Sequence, residues 1–135
     1  MACLDTTVFV DLNRPKSRFH RLASQKLLEL LGRGEDLVTT RFNVAEMYVG
    51  VQLVRDHEQE LNRVKQFLAS LQVLVFHDRA AWLYAEASAV LRRAGRTSGD
   101  MDILIAATAM AAGHRIVTRN PTHFAGIPGL FVETY

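Results

Sequence analysis

Asp100-Met101-Asp102-Ile103-Leu104-Ile105-Ala106-Ala107-Thr108-Ala109-Met110-Ala111-Ala112-Gly113-His114-Arg115-Ile116-Val117-Thr118 is the stretch that decides the fold. Two acids open a nearly all-apolar run, and Gly113 separates that run from a short β-branched one. The pattern predicts a helix from Met101 to Ala112 feeding a strand at Arg115–Thr118. The same alternation extends outward in both directions. Ala2–Leu4, Leu37–Thr39, Val73–Phe76 and Leu130–Val132 read as further strands. Between them, helices are expected over the turn through Leu12, over Phe19–Leu31, over the segment bearing Val44, Met47, Tyr48 and Val51, over Glu58–Leu71, and after Asp78 as a cap. Thr39 or Thr40 is expected to cap the third of these, and Gly95–Gly99 reads as a loop. Apolar strands alternating with helices imply a parallel sheet covered on both faces. The expected fold is therefore a three-layer α/β/α sandwich with a central parallel β-sheet, one domain over residues 1–135.

Composition narrows the class. With 49% apolar and 22% charged residues the chain is an ordinary globular protein. Its single cysteine, Cys3, allows neither an internal disulfide nor a thiolate cluster, which points to a reducing, cytoplasmic setting. Asp5 interrupts the apolar start before any signal-peptide core could form. The longest apolar run, Ile103 to Ala112, is too short to span a bilayer. Net charge is only +2, but most of the 16 basic residues are arginine, whose planar fork suits phosphate.

The acids carry the chemistry. Asp5 ends the first strand, Glu46 interrupts a helix pattern, and Asp100 and Asp102 open the apolar helix. In an open parallel sheet, ligands bind beyond the carboxyl ends of the strands, where strand order switches. Asp5 and the segment Thr118-Arg119-Asn120 both follow strands, so they share that rim, and the start of the Met101–Ala112 helix joins them. Singly, each acid has a plainer reading: Asp5 as a helix N-cap, Glu46 as a solvated helix residue, Asp100 or Asp102 as a cap or dipole partner. Their convergence on one rim argues instead for a compensating cation, because clustered buried charge is costly.

Oxygen ligands without a His or Cys cluster favour Mg²⁺ or Mn²⁺ over Zn²⁺. The five histidines show no ligand spacing and read as structural or solvated, His123 included. Such a site suits hydrolysis of a phosphodiester. Two rivals share part of the pattern. A haloacid-dehalogenase-like phosphatase also begins with an Asp after its first strand but wants a second two residues on, where this chain has Thr7. A non-enzymatic receiver-like or metal-binding module wants a Lys near the rim, where this chain offers Arg119.

Four stretches, in order along the whole chain, resemble the PIN-domain family and within it the VapC-type toxin ribonucleases. They are Leu4-Asp5-Thr6-Thr7-Val8-Phe9-Val10-Asp11-Leu12, Thr39-Thr40 through Ala45-Glu46-Met47-Tyr48-Val49-Gly50, Asp102-Ile103-Leu104-Ile105-Ala106-Ala107-Thr108-Ala109, and Ile116-Val117-Thr118-Arg119-Asn120 with His123-Phe124 and Gly129-Leu130. The resemblance implies an Mg²⁺- or Mn²⁺-dependent endoribonuclease, the toxin of a type II toxin–antitoxin pair. It implies Asp5, Glu46 and Asp102 as the catalytic and metal-binding acids. Many relatives carry a fourth acid where this chain has Asn120, so Asn120 is assigned to substrate and Asp100 to the metal. Thr6 and Thr118 are expected near substrate. The resemblance further implies a homodimer held inhibited by a small VapB-type antitoxin. The expected partner surface is Arg18–Leu31 together with the helix carrying Tyr48 and Val51. Arg92, Arg93 and Arg96, just before the acidic rim, are candidate RNA phosphate contacts, with Arg14, Lys16 and Arg18 as a second set.

Overall fold

A computed structural model describes residues 1–96 and 99–135. Thr97 and Ser98, inside the expected Gly95–Gly99 loop, lie outside the described residues. The elements run β1 (Ala2–Leu4), α1 (Thr6–Leu12), α2 (Arg18–Gly32), β2 (Leu37–Thr40), α3 (Arg41–Leu53), α4 (His57–Leu68), β3 (Gln72–Leu74), α5 (Asp78–Arg93), α6 (Asp100–Ala111), β4 (Arg115–Val117), a 3₁₀ turn at Pro121–Phe124, and β5 (Val132–Glu133). Five parallel strands form one sheet in the order β3-β2-β1-β4-β5. The chain therefore leaves β1 in one direction for β2 and β3, and returns to its other side for β4 and β5. That reversal opens a crevice beyond the carboxyl ends of β1 and β4.

The three β1 residues are buried, because both faces of the sheet are covered. Cys3, Val38 and Ile116 pack under α5 and α6 with Ala87, Leu91, Ile105 and Ala109. Ala2, Leu4 and Val117 face the other way, onto Val8 of α1 and Leu30 of α2. A third cluster, Phe9, Met47, Val51 and Val64, joins α1, α3 and α4 beside the sheet. Helix α6 has six buried residues and no polar face, so it is an interior element whose position the core dictates. Among the described residues no helix is long and apolar enough to cross a membrane.

The rim opposite the crevice is tied electrostatically. The Arg115 guanidinium gives two hydrogen bonds to Glu35, at 2.7 and 2.8 Å, and its Nε reaches Glu133 at 2.6 Å. Lys26 of α2 also reaches Glu133, at 2.9 Å. Hydrogen bonds from Arg115 hold the Glu35 carboxyl down at about 2. Burial alone would raise Glu133, but bonds from Lys26 and Arg115 bring it to about 2 as well.

Three expected boundaries shift. The third strand stops at Leu74 instead of Phe76, because Leu74 pairs with Thr40, the last residue of β2. Beyond it Val75 and Phe76 are exposed despite their β-forming character. The last strand begins at Val132, the residue in register with Ile116. His77, not Asp78, is the N-cap of α5, and Asp78 is the first helical residue, where a carboxylate complements the helix dipole.

Ile116 is fully buried at the centre of the sheet. Ile116→Ala is expected to lower unfolding stability by about 2–5 kcal/mol, read from urea denaturation.

Candidate metal and nucleic-acid site

The site is assembled by the turns that leave β1 and β4. Asp5 is the N-cap residue of α1, yet its side chain makes no capping hydrogen bond. Its backbone N–H donates to the Val117 carbonyl at 3.0 Å, continuing the sheet ladder by one step. That leaves the carboxylate, only 7% exposed, aimed across the rim. Oδ2 accepts from the Thr118 hydroxyl at 2.7 Å, and Oδ1 accepts from Asn43 Nδ2 at 3.1 Å.

Asn43 is the residue that sequence reasoning missed. It closes a capping box at the start of α3: its N–H donates to Thr40 Oγ1, and its Oδ1 accepts from the Thr40 N–H and hydroxyl. Because Oδ1 is committed to those donors, Nδ2 must face the other way, toward Asp5 and Thr6. The box usually carries Glu or Gln at its fourth position. An Asn there is the signal that could have found it.

Thr6 continues the relay. It accepts from Asn43 at 3.0 Å and donates to Glu46 Oε1 at 2.7 Å. Asp102 enters from the first turn of α6, with His123 Nδ1 at 3.7 Å. Asp5, Thr6, Thr7, Val10, Glu46, Asp102, Arg119, Asn120 and His123 line one cavity of about 230 Å³. Burial pushes the Glu46 and Asp102 carboxyls upward; Asp5 adds to both, while a Thr6 hydrogen bond opposes the rise in Glu46 and His123 opposes it in Asp102.

The expected residues divide clearly. Asp5, Glu46, Asp102, Thr6 and Asn120 all line the cavity. Thr118 stands behind Asp5 and also accepts from the Asn120 N–H at 3.0 Å. Thr6 and Thr118 thus orient the acids, rather than presenting free hydroxyls to a ligand. Asp100 lies elsewhere: it is exposed, accepts from the Tyr84 hydroxyl at 3.1 Å, and does not line the cavity. Residues two apart on a helix point to different faces, so Asp100 and Asp102 cannot share one pocket. Arg92, Arg93 and Arg96 are exposed and likewise off the cavity wall. Arg119 and His123 line it instead.

Among the described residues, no three His, Cys, Asp or Glu side chains close into a single coordination shell. Three carboxylates from three elements nevertheless face the same cavity, two of them with their charged form disfavoured. A hard cation that keeps most of its waters needs only one or two direct carboxylates, so this donor set fits a divalent metal ion.

A parallel sheet with this strand order gathers three acids at its switch point, the place where open α/β proteins bind their ligands. The PIN domain family profile matches residues 2–129. Ribonuclease VapC2 of Rickettsia felis is 31% identical over 108 residues, covering 80% of this chain and 81% of that protein. The tRNA(fMet)-specific endonuclease VapC of Salmonella typhimurium is 27% identical over 134 residues, covering 97% and 93%. The crystal structure of VapBC2 from Rickettsia felis bound to a promoter DNA fragment superposes with a TM-score of 0.85 at 27% identity, covering 99% of this chain and 98% of that one. The chain belongs to the PIN-domain family, among its VapC-type toxin ribonucleases.

Glu46 yields a sign that can be checked. Its native carboxyl holds a proton more tightly than the unfolded one, so stability falls as pH rises from the ordinary glutamate range through the raised native value. Glu46→Gln keeps the acceptor for Thr6 and removes the charge. The variant is expected to melt a few degrees higher than the parent at pH 7 in EDTA. That advantage should vanish near about pH 4, where glutamate is largely protonated in both states.

Proposed function

We propose that this chain is a divalent-metal-dependent endoribonuclease, the toxin of a cytoplasmic toxin–antitoxin pair, with Asp5, Glu46 and Asp102 holding Mg²⁺ or Mn²⁺. The observation that carries this is the convergence of those carboxylates on one cavity at the switch point, with the Asp5 oxygens held by neighbouring donors and Glu46 engaged through only one of its own. A bound divalent ion would supply Lewis-acid polarisation of the phosphodiester and would lower the pKa of an attacking water. The protein's own part is positioning. Thr118 and Asn43 hold the Asp5 carboxylate from opposite sides, and Thr6 fixes Glu46. Asn120, which stands where many relatives have a fourth acid, offers an amide to the substrate. Arg92, Arg93 and Arg96 can reach only RNA that extends beyond the cavity.

Transfer RNA is the substrate class we favour, from the printed specificity of the Salmonella relative. For the antitoxin, the supporting surface is apolar: Leu22, Leu28 and Leu31 of α2, and Tyr48, Val49 and Leu53 of α3, are all exposed. A homodimer bound by such a partner accounts for that exposure. The rival readings lose support. A receiver-like fold orders its strands 2-1-3-4-5, not 3-2-1-4-5. The position at which a phosphatase would carry its second acid is Thr7, whose hydroxyl lies 3.3 Å from that of Thr118.

Purified protein in Mn²⁺ is expected to cut total RNA into discrete products, and EDTA or Asp5→Asn to abolish them. Thr118→Val, which leaves every acid in place but frees one side of Asp5, should lower cleavage by about 10–100-fold. Intact RNA from a protein that still binds Mn²⁺ would overturn the nuclease assignment.

A further inference from the structure

The cavity has one cation in its wall that the reading above leaves unused. Arg119 follows Thr118 out of β4, and its Nε donates to Asp11 Oδ2 at 2.7 Å. The Asp11 side chain is 2% exposed, while that of Arg119 is 25% exposed. The Tyr135 hydroxyl shares the same Asp11 oxygen at 2.9 Å. The Arg119 Cζ also lies 4.4 Å from the centroid of the Phe19 ring. One edge of the guanidinium is thus clamped by a buried carboxylate, and an aromatic ring lies within cation–π range. Among the described residues, neither of its Nη groups has a hydrogen-bond acceptor.

Arg18 extends the feature. Its Cζ lies 4.7 Å from the same Phe19 centroid, and no carboxylate among the described residues is within ion-pair range of it. Arg14, nearby in sequence, lines a groove of about 280 Å³ that shares Thr6, Val10 and Glu46 with the acid cavity. A basic edge therefore borders the acidic floor.

We propose that Arg119, with Arg18 beside the same Phe19 ring, is the phosphate-binding wall of the site and grips the RNA backbone next to the acids. The inference rests on the nuclease reading and adds a binding residue to it. A backbone phosphate approaching three carboxylates is repelled unless a fixed cation offsets them. An arginine held at Nε keeps its two Nη groups for a phosphate, with little side-chain freedom left to lose on binding. The competing account, that Arg119 does no more than neutralise Asp11, uses only its Nε.

The two accounts part in a binding measurement. The full chain carrying Glu46→Gln, in EDTA so that no turnover occurs, is titrated against a fluorescein-labelled single-stranded RNA oligonucleotide between 50 and 200 mM salt. Arg119→Gln alone strands the Asp11 charge, so it is paired with Asp11→Asn, and Arg18→Gln is measured separately. For each arginine lost, the slope of log affinity against log salt is expected to flatten by about 0.7, the single-strand value per phosphate contact. Arg119→Lys should keep the slope and lose affinity. RNA binding with an unchanged slope in the Asp11→Asn/Arg119→Gln protein overturns the role of Arg119. No RNA binding by the Glu46→Gln parent overturns this inference, while the Mn²⁺ cleavage of total RNA decides the nuclease reading separately.

Discussion

The hydrogen bonds that Asp5 receives from Thr118 and Asn43 hold the functional rim together. They join the ends of β1 and β4 to the start of α3, three points far apart in sequence. A carboxylate this buried is tolerated because both oxygens are satisfied. The same contacts fix the carboxylate, since neither oxygen can turn without stranding a donor. Asn43 couples this to helix geometry: the amide that orients Asp5 also caps α3, so the helix bearing Glu46 starts in register with the acid it must face. Structure and site are here one hydrogen-bond network.

The two rims of the sheet are electrostatic opposites. At the far rim, Arg115 and Lys26 compensate Glu35 and Glu133 so fully that both carboxyls are held at about 2. At the functional rim, burial and mutual repulsion push Glu46 and Asp102 the other way. Stability gained at one end offsets charge left uncompensated at the other. Local cost at a functional site, repaid elsewhere in the fold, is a common arrangement.

Much of this was legible in the sequence, for a topological reason. Strand ends and helix starts in a parallel sheet share a rim, so the alternation of apolar strands and helices already brought Asp5, Glu46 and Asp102 together. What escaped depended on direction. Asp100 reads as a ligand beside Asp102 until helical rotation carries it round to Tyr84. Asn43 reads as an unremarkable helix residue because its role needs the tertiary meeting of α3 with β1. Arg119 reads as a rim residue without a role there, and His123 belongs to a turn whose course past β4 no periodicity reports. Strand ends at Val75–Phe76 were overextended because composition does not say where a neighbouring strand stops.

The place of β4, late in the chain yet beside β1 in the sheet, has a consequence for how the protein is made. β1 is synthesised first, but the neighbour that completes its crevice is β4, and Asp102 and Thr118 come from the last third of the chain. An incomplete chain on the ribosome therefore has Asp5 without Thr118 and two of the three acids without Asp102. The three-acid cavity is complete only when the C-terminal segment docks against the first strand. A chain cut short before residue 102 folds, if at all, around a crevice that lacks one wall and one of its three carboxylates.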